Sequence, residues 1–177
     1  MTYARDISYA HSARTRGGRA LIRLMENTTG RVSLLKRAEG YEDDLAAGLG
    51  FFDAMVRRCG LTLDVMRGSL ADIPKRGPVI LIANHPYGIL DGLMLGHILS
   101  ETRGDFRIMA NAVFSQAPDL AHHLLPISFA EDRAALALNL ATRRTALTYL
   151  DQGGAIGIFP GGTVSTAARP FSQPMDP

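Results

Sequence analysis

The sequence has little cysteine, little net charge and no long apolar run. Cys59 is the only cysteine among 177 residues, which excludes an internal disulfide and fits an intracellular location. The formal net charge is only +2, which argues against a nucleic-acid-binding protein, so no nucleic-acid partner is expected. No run of about 18 apolar residues is present, so no transmembrane helix is expected and any membrane contact would be peripheral.

Several catalytic signatures are also absent. The sequence has no Gly-x-Ser-x-Gly elbow, no P-loop and no complete dinucleotide fingerprint, which argues against serine hydrolases, P-loop NTPases and nicotinamide enzymes. The adjacent His122 and His123 point in different directions on a helix or strand, and no Cys or second His stands at ligand spacing, so no metal site is expected. His97, inside an apolar helical stretch, is expected to be packed or capped rather than catalytic.

The charges are unevenly distributed along the chain. Residues 1–40 contain eight Arg or Lys against three Asp or Glu, whereas residues 41–177 contain eleven against fourteen. A basic leading segment beside an acidic body indicates either an anionic surface as partner or a solvated tail. Residues 18–27 have the spacing of a short amphipathic helix, which could pack on the body or lie in a bilayer interface.

The most informative stretch runs from Ile82 to Gly92. An apolar strand over residues 79–83 leads into a turn with Pro and Gly, and helical spacing follows over residues 90–99. The pattern predicts a strand, a tight turn and a helix, with His85 in the turn and Asp91 at the start of the helix.

His85 and Asp91 allow two interpretations. In the first, the Asp91 carboxylate accepts a hydrogen bond from one ring nitrogen of His85 and leaves the other free to take a proton. A base positioned in this way typically contributes about 100- to 10,000-fold in rate. In the second, Asp91 is an N-cap and His85 is a turn residue bonded to backbone, which spacing alone favours.

The order Asn-His-Pro-Tyr-Gly-Ile-Leu-Asp-Gly from Asn84 resembles the first motif of the glycerolipid and lysophospholipid acyltransferase family. The family usually has one residue fewer between His and Asp, and the longer form is similar to that of a bacterial branch, the ornithine-lipid and hemolysin-like acyltransferases. Pro86 and Gly88 can absorb the extra residue in the turn. The resemblance implies that His85 and Asp91 are catalytic.

Two further stretches resemble motifs of the same family. Phe129 and Arg133 loosely match the second, in which an arginine helps to hold an anionic acceptor head, although Arg133 could equally be an ordinary surface arginine. The glycine-rich turn after residues 155–159 resembles the third, Phe-Pro-Glu-Gly-Thr-Arg-Ser. The matched positions are Phe159, Pro160, Gly162, Thr163 and Ser165.

The third motif departs from the family at two positions. Gly161 replaces the usual Glu and Val164 the usual Arg, so the charged acceptor contacts are missing there. The bacterial branch has a Val at the second of these positions. The resemblance implies that Gly162, Thr163 and Ser165 hold the polar head of the acceptor through backbone N–H groups and hydroxyls.

The pattern of elements predicts an α/β fold, with a mainly parallel sheet flanked by helices and a helical N-terminal segment. Helices are expected over residues 42–59, with a cap at Gly60, and 134–150; strands are expected over 61–66, 79–83, 105–111, 124–129 and 155–159. We expect a basic helical segment at residues 1–59 and an acyltransferase-like domain at 60–177. Family members continue further after the third motif, so this domain is expected to be shortened.

The resemblance implies a function in membrane lipid synthesis. A fatty acyl group would move from acyl-CoA or acyl-carrier protein, without a further cofactor, to the hydroxyl of a lysophospholipid or lyso-aminolipid. The expected partner is an anionic membrane surface, and the expected location is the cytoplasmic side of the inner membrane. The alternative is a non-catalytic or vestigial lipid-binding domain, suggested by the altered third motif and the early C-terminus.

Overall fold

A computed structural model describes residues 31–161 of the chain. The helices are α1 (Arg31–Ala38), α2 (Tyr41–Ala46), α3 (Phe51–Cys59), α4 (Ile89–Thr102), α5 (Pro118–Ala121) and α6 (Arg133–Asp151); the strands are β1 (Val79–Ile82), β2 (Arg107–Asn111), β3 (Leu124–Ile127) and β4 (Ala155–Ile158). Short 3-10 turns cover Leu70–Asp72 and Ala112–Gln116. Among these helices, none is long and apolar enough to cross a bilayer. The amphipathic helix expected at residues 18–27 lies outside the described residues.

The four strands form one parallel sheet in the order β1-β4-β2-β3. β4 pairs with β1 along its whole length, with Val79 opposite Ala155 and Ile82 opposite Ile158, and it also pairs with the start of β2. Parallel strands that follow one another along a chain require a crossover. α4 connects β1 to β2, and α6 connects β3 to β4.

The two crossover helices lie on opposite faces of the sheet. Successive residues of a strand point to opposite faces. Gly157 of β4 faces α4, where an added Cβ would press on Leu95 and Leu99, whereas Ile156 packs with Ala146 of α6. The expected α/β fold, a parallel sheet with helices on both faces, is therefore confirmed.

The larger core lies between the sheet and helices α3 and α4. Leu99 and Phe106 are fully buried, and the Phe52 ring of α3 lies 5.5 Å from the Phe106 ring between centroids. Full burial of a side chain of this kind stabilises the fold by about 1.5–3 kcal/mol. Gly96 of α4 lies beneath the Phe52 ring, with no room for a Cβ, so α3 approaches α4 closely there.

The prediction of one helix over residues 42–59 is wrong. The chain forms two helices, α2 and α3, with a break between them. Gly48 in the break has φ of 93°, a left-handed conformation that an α-helix cannot continue. The predicted Gly60 cap is confirmed, because its φ is 67° and its N–H donates to the carbonyl of Arg57 at 3.1 Å.

The prediction of a first strand over residues 61–66 is also wrong. This segment has no regular secondary structure and pairs with no strand within the described residues. Met66 is 83% exposed, and Leu63 and Val65 are exposed as well. Alternation of apolar and polar residues makes a strand only where a partner strand can accept its hydrogen bonds.

The remaining elements agree with the sequence-based expectations. The helix expected over 134–150 is α6, and the strands expected over 79–83, 105–111, 124–129 and 155–159 are β1 to β4, each somewhat shorter than expected. The division of the chain at residue 60 stays a prediction, although Phe52 before it and Leu99 after it share one core.

Candidate active site

The turn between β1 and α4 is closed by a glycine in a conformation unusual for other residues. Gly88, the residue before α4, has φ of 62° and ψ of −120°. An L-residue with a Cβ is strongly disfavoured in this region. Its carbonyl accepts hydrogen bonds from the N–H groups of Asp91 and Gly92, at 3.1 and 3.3 Å. Gly88 thus turns the chain sharply and lets the helix start immediately afterwards.

Asp91 contacts both the turn backbone and the imidazole of His85. Its Oδ2 accepts a hydrogen bond from the Tyr87 N–H at 2.7 Å, and the same oxygen lies 3.3 Å from Nδ1 of His85. The Nδ1–Oδ2 approach is an ion-pair contact whose alignment falls short of a hydrogen bond, and Nδ1 is buried. The interpretation of Asp91 as an N-cap is wrong, because Gly88 is the N-cap and Asp91 is the third residue of α4; its carboxylate instead binds the turn backbone at Tyr87 and faces the histidine.

One face of the His85 ring is covered by an aromatic side chain. The Phe159 ring, directly after β4, stacks on His85 with 4.1 Å between centroids and 23° between planes. Burial lowers the pKa of His85 from its usual value, while the charge and hydrogen-bonding capacity of Asp91 act in the opposite direction. The imidazole is therefore neutral at neutral pH, the form that can accept a proton.

His85 remains accessible to a substrate. Its side chain is 21% exposed, and no protein group within residues 31–161 hydrogen-bonds to its Nε2. With Nδ1 turned to Asp91, Nε2 is the nitrogen left for a reacting hydroxyl. The arrangement has the geometry of a general base with an orienting carboxylate.

The sheet register brings the first and third motifs together. Ile82 lies opposite Ile158, and the N–H of Ala83 donates to the carbonyl of Ile158 at 3.2 Å. Both strands therefore end side by side at the carboxyl edge of the sheet, and Phe159 follows directly beside His85. Sequence matching placed Phe159 in the third motif without a role; its stacking on His85 could not be read from spacing.

The rest of the third motif is only partly described. Pro160 and Gly161 are exposed beyond the end of β4. The predicted acceptor-binding residues Gly162, Thr163 and Ser165 lie outside the described part of the chain.

Arg133 lies at the same edge of the sheet but not beside His85. It is the exposed first residue of α6, after β3. β3 and β1 are the two outer strands, separated by three strand spacings or about 14 Å. Arg133 lines an open groove of about 400 Å³ together with the acidic Glu131 and Asp132. It can contact a distant part of a long substrate rather than the reacting atoms.

The environments of Cys59 and His123 indicate that these residues pack in the protein interior and need no catalytic role. Burial raises the pKa of the Cys59 thiol, with a smaller opposing effect of Arg37, so the thiol stays protonated. His123 stacks on Phe106 with 4.5 Å between centroids, and burial lowers its pKa, with a further lowering from His122. Both residues are part of the packing around the larger core.

The fold and the site define an α/β protein with a histidine facing a carboxylate at the carboxyl edge of a parallel sheet. A family model described as Acyltransferase matches residues 68–174, more than half of the chain and the part that includes the whole sheet. The chain belongs to this acyltransferase family, and as a member it is an enzyme that uses an acyl donor and an acceptor substrate. No curated protein matches the chain significantly, and neither does any solved structure.

Proposed function

We propose that this acyltransferase moves a fatty acyl group from acyl-CoA or acyl-carrier protein to the hydroxyl of a lysophospholipid or lyso-aminolipid. The observation that carries the proposal is the His85 imidazole held between Asp91 and Phe159 at the carboxyl edge of the sheet. The resemblance of its motif to the ornithine-lipid and hemolysin-like bacterial branch favours these acceptors. No cofactor besides the acyl donor is needed.

In the proposed reaction, Nε2 of His85 removes the proton from the acceptor hydroxyl while its oxygen attacks the thioester carbonyl. The carbon–oxygen bond forms, the carbon–sulfur bond breaks, and the imidazolium returns its proton to the leaving thiolate. Asp91 keeps the ring oriented and stabilises its protonated form between these steps. The reaction balances without an acyl-enzyme, and within residues 31–161 the buried Cys59 is the only thiol.

The polar head of the acceptor would be held away from the base. We assign this role to Gly162, Thr163 and Ser165, which follow β4 in sequence, and to Arg133 at the same edge of the sheet. Because Gly161 and Val164 carry no charge, the head group would be bound mainly through backbone and hydroxyl groups.

Peripheral binding to an anionic membrane would bring the acceptor to the site. Large apolar side chains are exposed around the carboxyl edge: Ile82 (66%), Tyr87 (75%), Ile89 (43%), Phe129 (50%) and Leu136 (60%). Such a group of exposed apolar residues can enter a lipid interface. Together with the basic composition of residues 1–40, it supports a place at the cytoplasmic face of a bacterial inner membrane.

The test is acyl transfer by the purified chain, with labelled acyl-CoA and acyl-carrier protein and a panel of lysolipid acceptors in vesicles. His85→Ala is expected to lower transfer by about 100-fold or more, whereas His122→Ala, a change of an exposed histidine, should leave it unchanged. A fully active His85→Ala variant would contradict the proposed base.

Absence of transfer by a folded chain would favour the non-catalytic alternative. In that case vesicle binding should persist, weaken with salt and be unaffected by His85→Ala. Co-sedimentation with anionic vesicles, measured on the same samples, distinguishes this outcome from an inactive preparation.

A further inference from the structure

A second group of ionisable side chains lies where α3 packs on α4, apart from the candidate active site. It consists of Asp53 on α3 and of His97 and Glu101 on α4, whose ligand atoms all lie within 4.8 Å of one another. His97 and Glu101 are four residues apart on one helix, so their side chains project from the same face one turn apart. None of the three takes part in the reaction proposed above.

The arrangement is already partly ordered by direct contacts. Nδ1 of His97 lies at hydrogen-bond distance, 2.6 Å, from Oδ1 of Asp53, and the Ser100 hydroxyl is 3.5 Å from the same oxygen. The side chains of His97 and Asp53 are 25% and 32% exposed, and Glu101 is exposed. An ion from solvent can therefore reach the group, and the Glu101 carboxylate is free to turn toward it.

We propose that Asp53, His97 and Glu101 form a divalent-cation site, with Zn²⁺ the best-matched ion, that links α3 to α4. One imidazole and two carboxylates are ligands that Zn²⁺ accepts, with bonds of about 2.0–2.2 Å. Two ligands of one such ion lie about 3–4 Å apart, so His97 Nδ1 and Asp53 Oδ1, which are 2.6 Å apart, would separate slightly and Glu101 would turn toward them to complete the set. Water would fill the remaining coordination position.

The bound ion would replace the proton between His97 and Asp53. Zn²⁺ would bind Nδ1 of the neutral imidazole, so the ring proton would be carried on Nε2, and the Asp53 carboxylate would bind the ion instead of that proton. Since α3 and α4 are separated in sequence by β1 and its flanking turns, an ion shared between them would restrict their separation. Its role would be structural, in the helix pair that supports the larger core.

The experiment uses the full chain without an affinity tag, freed of metal with a chelator and titrated with Zn²⁺ by calorimetry in a weakly coordinating buffer. We expect saturable binding of one ion per chain and a rise in Tm of about 5 °C at a hundredfold excess over Kd.

Glu101→Gln is the decisive variant, because its exposed side chain can change without disturbing the fold. It should weaken binding at least about tenfold, as expected for loss of one ligand, while the Tm of the metal-free chain stays the same. Glu42→Gln, an exposed glutamate on α2, and His122→Gln are the matched controls and should bind Zn²⁺ normally. No saturable binding by the parent chain, or equal binding by the parent and Glu101→Gln, would overturn the proposal.

Discussion

Residues 31–161 contain two His–Asp pairs, and the closer one is not at the candidate active site. His97 and Asp53 are 2.6 Å apart, whereas His85 and Asp91 are 3.3 Å apart and poorly aligned. Both pairs use Nδ1 of the histidine, and all four side chains are partly buried. Distance alone therefore does not distinguish the proposed catalytic pair from the other pair.

The surroundings of the two pairs distinguish them better. His85 lies in a turn at the carboxyl edge of a parallel sheet, where ligands of open α/β sheets bind, and its ring is stacked on Phe159. His97 lies in the middle of α4 and faces α3. The first pair can meet a substrate with Nε2, and the second joins two helices.

The largest expected effect is the loss of transfer when Asp91 loses its charge. Asp91→Asn keeps an oxygen for the Tyr87 N–H but stabilises the protonated imidazole less, so kcat should fall about 100-fold or more. Asp53→Asn, the same change in the other pair, should leave kcat nearly unchanged. Steady-state kinetics on both variants test this prediction. Equal losses of kcat in Asp91→Asn and Asp53→Asn would contradict a special role for the His85–Asp91 pair.

The next effect concerns the helix contact that positions the second pair. Gly96→Ala would place a methyl group against the Phe52 ring and should lower the free energy of unfolding by about 1–3 kcal/mol. Gly92→Ala is the control on the same helix, because a Cβ there meets nothing within 4 Å. In urea unfolding, Gly92→Ala should be as stable as the parent chain or more stable. Equal stability of the two variants would contradict the close approach of α3 to α4.

A smaller effect is expected from the His97–Asp53 hydrogen bond itself. In metal-free buffer, His97→Leu should lower the free energy of unfolding by about 0.5–1.5 kcal/mol. The loss should lie toward the lower end of this range because the side chains of His97 and Asp53 are partly exposed to water. A double-mutant cycle with Asp53→Asn should assign most of this cost to the pair. The cycle is measured by urea unfolding, and a coupling energy of zero would show that the contact does not stabilise the fold.

The smallest effect is a shift in the pH profile of transfer. Burial lowers the pKa of His85, and a base must be unprotonated, so kcat/KM should be constant above that pKa and fall as the pH drops through it. Phe159→Leu admits water to the ring, raises the pKa and moves this fall to higher pH, by less than about one unit.

The profile is measured by following kcat/KM from about pH 5 to 8, the range in which histidines titrate. Phe51→Leu, a change of an aromatic residue on α3, should not move the fall in rate. An unshifted profile in Phe159→Leu would show that the stacked ring does not set the pKa of His85.

The sequence predicted the strand–turn–helix around His85 because local signals agree there. An apolar run, Pro and Gly in a turn, and helical spacing all favour the same structure, and the structure has β1, the turn and α4 at those positions. The two wrong predictions of secondary structure come from places where apolar periodicity does not reveal backbone conformation or strand pairing. Apolar spacing continued through Gly48 although its backbone conformation ends the helix, and the alternation at residues 61–66 found no partner strand.

The contacts that complete the sites could not be predicted from sequence, because they join distant parts of the chain. Phe159 reaches His85 only through the pairing of β4 with β1, and the strand order follows from no local pattern. His97 was expected to be packed or capped, but its partner Asp53 is 44 residues away on another helix. Adjacent histidines such as His122 and His123 do not by themselves indicate a metal site, because metal ligands must be neighbours in space.

The position of β4 has a consequence for synthesis of the protein on the ribosome. β4 is the last of the four strands to be translated, yet it lies between β1 and β2. Until it emerges, the nascent chain can pair β2 with β3, but β1 lacks its neighbour in the sheet, β4, and exposes an apolar edge prone to wrong association. Insertion of β4 unites the two halves of the sheet and delivers Phe159 to His85 in the same step. Chains released before this point would aggregate instead of retaining partial activity.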